Sequence, residues 1–218
     1  MRTLARPRAV LFDWDNTLVD NWPAIREAYN ATLAAFGHAT WTLEETKLRM
    51  RRSLRDSFPE LFGPRWEDAR AIFYRTFEAC HLEALRAMPG AEAAIAAFLE
   101  AEVYLGVVSN KSGPILRKEA AHLGWSRRFG RLVGATDAVK DKPAIEPVFL
   151  ALEASGVAPG PEVWFVGDAA VDMECAHRAG CVPVLVGPGA GEAEQIQRFP
   201  PGLMSPDLNH LRSILEGL

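Results

Sequence analysis

At 218 residues the chain is long enough for one large domain, or for one domain carrying an insertion, and for a core that hides about 70% of the unfolded surface. Its 49% hydrophobic and 24% charged residues are the balance of an ordinary soluble globular protein, and a net charge of −4 lacks the Lys and Arg excess of a nucleic-acid binder. Cys80, Cys175 and Cys181 make neither a disulfide framework nor a zinc pair; the apolar run after Arg2, Arg6 and Arg8 is too short for a signal peptide, and no stretch is apolar enough to span a bilayer, so a reducing cytoplasm is expected, with no nucleic-acid or membrane partner.

In chain order, residues 9–12 form a first, uniformly apolar predicted strand. No convincing strand follows until residue 87. Within this stretch Ile25, Ala28, Tyr29 and Phe36 line one helix face. Thr42 and Glu45 make a capping box that opens a second helix, expected to stop near Pro59. A third starts around Pro64 and buries Ile72, Phe73, Phe77 and Cys80. Pro89 and Gly90 then mark a change of pattern. Short branched-apolar runs at 103–108, 132–135, 163–166 and 182–186 are continuous rather than alternating, as strands buried on both faces are. Helical faces accompany them: Ile95, Phe98 and Leu99; Leu116, Ala120 and Leu123 before Gly124; Ile145, Val148, Phe149 and Leu152 before Gly156. A last helix opens at Asp207 as N-cap, with Leu208, Leu211 and Leu215 inward. The expected fold is α/β: a Rossmann-like, doubly wound parallel sheet built from residues 1–18 and 88–218, with an all-helical domain, residues 19–87, inserted after the first strand.

Ligands of open α/β sheets sit outside the carboxyl ends of the strands, so the residues that follow each strand matter most. After the first come Asp13, Asp15 and Thr17; after the second, Ser109 and Asn110; after the third, past a loop, Lys142; after the fourth, Asp168 and Asp172. Asp13 and Asp15 can divide labour, one attacking and the other handling protons. Carboxylates gathered with space for water suit Mg²⁺, and a Lys ammonium with a Ser hydroxyl suits phosphoryl oxygens. Taken singly, Asp168 reads as a turn residue, Ser109 as a helix cap and Lys142 as a solvated lysine. An aspartate that closes a hydrophobic strand and is followed by another is costly without a cation.

The four segments FDWDNTL, VVSNK, DKPAIEP and GDAAVD, in this order, resemble the motifs of the haloacid dehalogenase superfamily, in particular its phosphatases with a helical cap after the first strand. The resemblance implies a Mg²⁺-dependent phosphatase of a small phosphorylated metabolite, 2-phosphoglycolate-like, working as a monomer or homodimer. It implies that Asp13 is the nucleophile and Asp15 the acid and base. Asp13, the Asp15 carbonyl, Asp168 and Asp172 would hold the metal; Ser109, Lys142 and the Asn110 backbone would grip the phosphoryl group, and Thr17 would steady the loop. Three positions depart from the family pattern. Asn16 stands for the usual Gly, and Asn tolerates left-handed backbone next best; Ala169 replaces a common hydroxyl residue, and Ile145 a frequent proline. Lys140 rivals Lys142, but the Lys-Pro pairing favours Lys142. In the helical insertion, Arg51 and Arg55, four apart, are candidates to meet a carboxylate or second phosphate on the substrate. A phosphomutase of the same fold is the nearest alternative; a dehalogenase, a phosphonate-cleaving enzyme using Lys47 and a non-catalytic module of the same fold fit the motifs less well.

Overall fold

A computed structural model describes residues 5–49, 54–187 and 193–218. The elements run β1 (Ala9–Phe12), β2 (Val19–Asp20), α1 (Trp22–Ala35), α2 (Leu43–Arg49), α3 (Leu54–Phe62), α4 (Trp66–Ala84), β3 (Arg86–Ala87), α5 (Ala91–Glu100), β4 (Tyr104–Ser112) and α6 (Gly113–His122). They continue with β5 (Arg131–Ala135), α7 (Glu146–Leu152), β6 (Val163–Gly167), α8 (Ala170–Ala179), β7 (Val182–Val186), α9 (Ala193–Arg198), β8 (Leu203–Ser205) and α10 (Leu208–Glu216). The chain divides into two compact units, Met1–Val19 with Ala87–Leu218, and Asp20–Arg86.

The first unit is a parallel sheet in the order β5-β4-β1-β6-β7-β8. Every residue of β1 is fully buried, which is why the strand reads as a continuous apolar run. Successive side chains face opposite layers. Leu11 and Phe165 join Val148 of α7 and Cys175 of α8 in one core, while Phe12 and Trp164 flank Phe98 of α5 at ring distances of 5.9 and 6.2 Å. The chain builds outward from β1 through β4 to β5, then returns to lay β6, β7 and β8 on the other side. This reversal beside β1 opens a crevice at the carboxyl ends of the central strands. The α/β class and parallel sheet expected from the sequence are observed.

Several local expectations change. β4 does not end at Val108 but continues to Ser112, with a register shift against β5 between Val108 and Ser112. Leu99 and Phe149 lie outside their helices' buried stripes, at 42% and 53% exposure, because Ile95 and Phe98, and Val148 with Leu152, already cover the sheet. Asp207 caps α10 as expected, accepting the His210 amide at 2.8 Å.

The second unit is helical. Tyr29 of α1 stacks on Trp41 and meets Phe58 and Phe73 edge-on, at ring distances of 5.3, 5.6 and 5.1 Å. Thr42 and Glu45 form the expected reciprocal capping box at the start of α2, at 2.8 and 3.2 Å. Pro59 does not end a helix: it lies inside α3, whose described residues are Leu54–Phe62. The expected third helix begins as a 3₁₀ turn at Gly63–Arg65 and buries Phe73 and Phe77, whereas Ile72 and Cys80 are half-buried.

Candidate active site

Asp13 is the first residue beyond β1. Its amide donates to the Val166 carbonyl at 2.8 Å, extending the ladder by one step and turning the carboxylate into the crevice. On the neighbouring strand end, β6 closes with Gly167, and Asp168 and Asp172 follow at the opening of α8. Asp13, Asp168 and Asp172 each offer a carboxylate oxygen, and these oxygens lie within 4.8 Å of one another. Lys142, from the loop before α7, donates to Asp13 Oδ1 at 2.6 Å and to Asp172 Oδ1 at 2.7 Å. Its side chain is only 2% exposed.

The electrostatics follow from this crowding. Burial, then the Asp172 charge, act against ionisation of Asp13; the adjacent Lys142 ammonium opposes them, and the net result is a pKa pushed up to about 6. Asp168 is raised well above the usual carboxylate range by burial and by its two acidic neighbours. Burial pulls Lys142 down, but the Asp13 and Asp172 charges outweigh it and hold the ammonium above its ordinary value. One ammonium among three carboxylates leaves the cluster net negative. Three hard oxygen donors, those of Asp13 and Asp172 buried and that of Asp168 half-buried, could hold a divalent cation.

The other residues singled out in the sequence take distinct places. Thr17 Oγ1 donates to Asp168 Oδ1 at 3.2 Å, tying the β1 loop to the β6 loop. Ser109 is buried at the shifted end of β4, and its Oγ accepts the Lys111 amide at 3.2 Å. The Asn110 side chain does something the sequence did not suggest: it receives the Lys142 amide at 2.9 Å and donates to the Lys142 carbonyl at 3.1 Å, bracing that backbone from across the sheet. Asn16 adopts φ +64°, the left-handed geometry expected where Gly is usual. Lys140 is exposed and pairs with Glu146 at 3.4 Å, which leaves Lys142 as the lysine of the cluster. The Asp15 carboxylate accepts Lys111 Nζ at 2.7 Å. Arg51 lies outside the described residues; Arg55 falls in α3, its side chain outside the description.

Sequence reasoning missed Lys111 and its partner Glu119. Glu119 accepts both Lys111 Nζ, at 2.9 and 2.8 Å, and Trp14 Nε1, at 2.6 Å. Its signal was present: Glu119 shares spacing with Ile115, Leu116 and Ala120 on the buried face of α6, where a charge is expensive unless paired.

The model of the haloacid dehalogenase-like hydrolases matches residues 10–186. A phosphoglycolate phosphatase of Xylella fastidiosa (strain 9a5c) is 34% identical over 84% of this chain and 80% of its own length. That of Photorhabdus laumondii is 26% identical over 95% of this chain and 92% of its own. A haloacid dehalogenase-like hydrolase from Streptococcus pneumoniae superposes with a TM-score of 0.84 at 20% identity, covering 95% of this chain and 98% of that one, a likeness of fold. With a family model spanning most of the chain and relatives similar along nearly all of it, the protein belongs to the haloacid dehalogenase-like hydrolases and is an enzyme similar to their phosphoglycolate phosphatases.

Proposed function

We propose that this enzyme is a Mg²⁺-dependent phosphatase that removes the phosphoryl group of a small phosphorylated metabolite through an aspartyl-phosphate on Asp13. The observation that carries the reading is the buried cluster at the ends of β1 and β6, where the Asp13 carboxylate meets Lys142 and lies beside Asp168 and Asp172.

Asp13, Asp168 and Asp172, with the Asp15 backbone carbonyl, would hold Mg²⁺. Bound there, the ion supplies the positive charge that keeps these carboxylates ionised and neutralises phosphoryl oxygens. An Asp13 oxygen forms a bond to phosphorus while the bond from phosphorus to the leaving oxygen breaks, and Asp15 gives that oxygen a proton. A water then attacks the same phosphorus, Asp15 takes its proton, and the bond to Asp13 breaks to release phosphate. Lys142, Ser109 and the Asn110 backbone hold phosphoryl oxygens, and Thr17 steadies the loop through Asp168. The helical unit is the proposed cap that selects the substrate, with Arg51 and Arg55 its candidate contacts to a second anionic group. Phosphoglycolate, the substrate in the names of the relatives from Xylella fastidiosa and Photorhabdus laumondii, fits that description. Three free cysteines support work in a reducing compartment.

The reading is tested by assaying a panel of phosphorylated metabolites, phosphoglycolate included, with and without Mg²⁺, for the wild type and Asp13→Asn. Phosphate release should vanish on either removal; release that survives either one would sink the proposal. Transfer of phosphate between sugar phosphates with no net release would instead identify a mutase.

A further inference from the structure

We infer that Lys111 and Glu119 form a positioning pair that holds the Asp15 carboxylate in place for proton transfer, an assignment that rests on the phosphatase reading above. The pair begins with a residue that fits poorly as mere core. Glu119 is wholly buried on the inner face of α6, among apolar side chains. Replacing a buried ion pair with apolar residues is often neutral or stabilising, so stability alone is a weak reason to keep one.

Its bonds explain what it does. Both Glu119 oxygens accept Lys111 Nζ, at 2.9 and 2.8 Å, and Oε2 also accepts Trp14 Nε1 at 2.6 Å. Trp14 is itself fully buried, edge-on to Trp125 at 5.8 Å and to Phe129 at 6.4 Å, so Glu119 cannot drift. An ammonium has three donors. Glu119 fixes the direction of Lys111, and Lys111 then donates to Asp15 Oδ1 at 2.7 Å. Trp14 separates Asp13 from Asp15 in the chain, so the same glutamate anchors both the loop backbone and the carboxylate that the loop carries. Lys111 belongs to the shifted end of β4, two residues past Ser109, and its ammonium reaches Asp15 in the β1 loop. The Lys111 side chain is 6% exposed and that of Asp15 23%, so the tether is buried and the side chain it holds is only partly so.

A positioning role for a proton donor predicts a dependence on the leaving group. A nitro-substituted aryl phosphate departs without help, whereas an alkyl or unsubstituted phenyl phosphate needs the proton. The full-length Mg²⁺-loaded enzyme is therefore mixed in single turnover with both classes, for wild type, Lys111→Met, Lys111→Arg and Glu119→Gln. In Lys111→Met, transfer from the poor leaving group should fall by about tenfold or more while transfer from the good one changes little. The phosphoenzyme should then accumulate, because its hydrolysis also uses Asp15. Lys111→Arg should recover part of the loss, and Glu119→Gln should show a smaller loss of the same selective kind. Equal losses for both substrate classes, or a change confined to KM, would overturn the assignment. If Lys111→Met does not fold, Glu119→Gln decides by the same comparison. A wild type that releases no phosphate would instead remove the phosphatase reading itself.

Discussion

At the scale of single residues, the site is a contest between burial and charge. Asp13 lies at the end of a strand with no exposed residue, and its carboxyl is pushed up to about 6 by that burial first and by Asp172 next, with Lys142 opposing. A raised acid binds protons in the folded state that the unfolded chain has already lost. The metal-free protein therefore loses stability from Asp13 as pH rises from about 4 through about 6. A divalent cation reverses this by favouring the ionised form. We expect the rise in melting temperature on adding Mg²⁺ to be large at pH 7.5 and to shrink as pH falls through about 6, when protons compete for Asp13 and Asp168; differential scanning fluorimetry across pH reads it. A rise independent of pH would count against metal binding by these carboxylates. Lys142→Met removes the ammonium and leaves Asp13 and Asp172 buried without it. Urea denaturation of the metal-free variant at neutral pH should show a loss of about 3 kcal/mol, and kcat should fall roughly a hundredfold to a thousandfold.

At the scale of elements, strand ends do most of the positioning. Gly167 closes β6 beside Asp172, and a methyl group there would sit on the Asp172 carboxylate. That carboxylate cannot retreat: it is fully buried, bound to Lys142 at 2.7 Å and to the Ala169 amide at 3.1 Å. Gly167→Ala should thus weaken Mg²⁺ binding and lower kcat by about tenfold or more, with the helical content seen by circular dichroism retained. Unaltered Mg²⁺ affinity would mean that Asp172 has freedom this packing denies it. These strand ends were also the most legible part of the sequence. A run such as 163–166 is apolar because both faces of the strand are covered, so the first polar residue after it marks the crevice. What could not be read was contact between elements. Nothing local says that Asn110 spends its amide on the Lys142 backbone, or that Lys111 reaches Asp15, because both depend on how β4 shifts register before α6. Leu99 and Phe149 misled for a related reason: helical periodicity marks a stripe, and packing sets its width.

At the scale of the molecule, the reversal of strand order beside β1 gathers residues 13, 109, 142 and 168 from distant parts of the chain onto one edge of a single sheet. The helical unit forms its own aromatic core around Tyr29 and Phe73, and its sequence shows this architecture more plainly than it shows a substrate. Arg51→Ala or Arg55→Ala should raise KM several-fold for a metabolite carrying a second anionic group, with little change for an aryl phosphate that has none, as steady-state kinetics would record; an unchanged KM would return both to the solvated surface. Rapid acid quench during turnover, followed by peptide mass mapping, tests whether Asp13 becomes covalently phosphorylated. Phosphate should be found on Asp13 in the Mg²⁺-loaded wild type and be absent in Asp13→Asn or without the metal. Steady phosphate release with no phosphate ever found on Asp13 would contradict it.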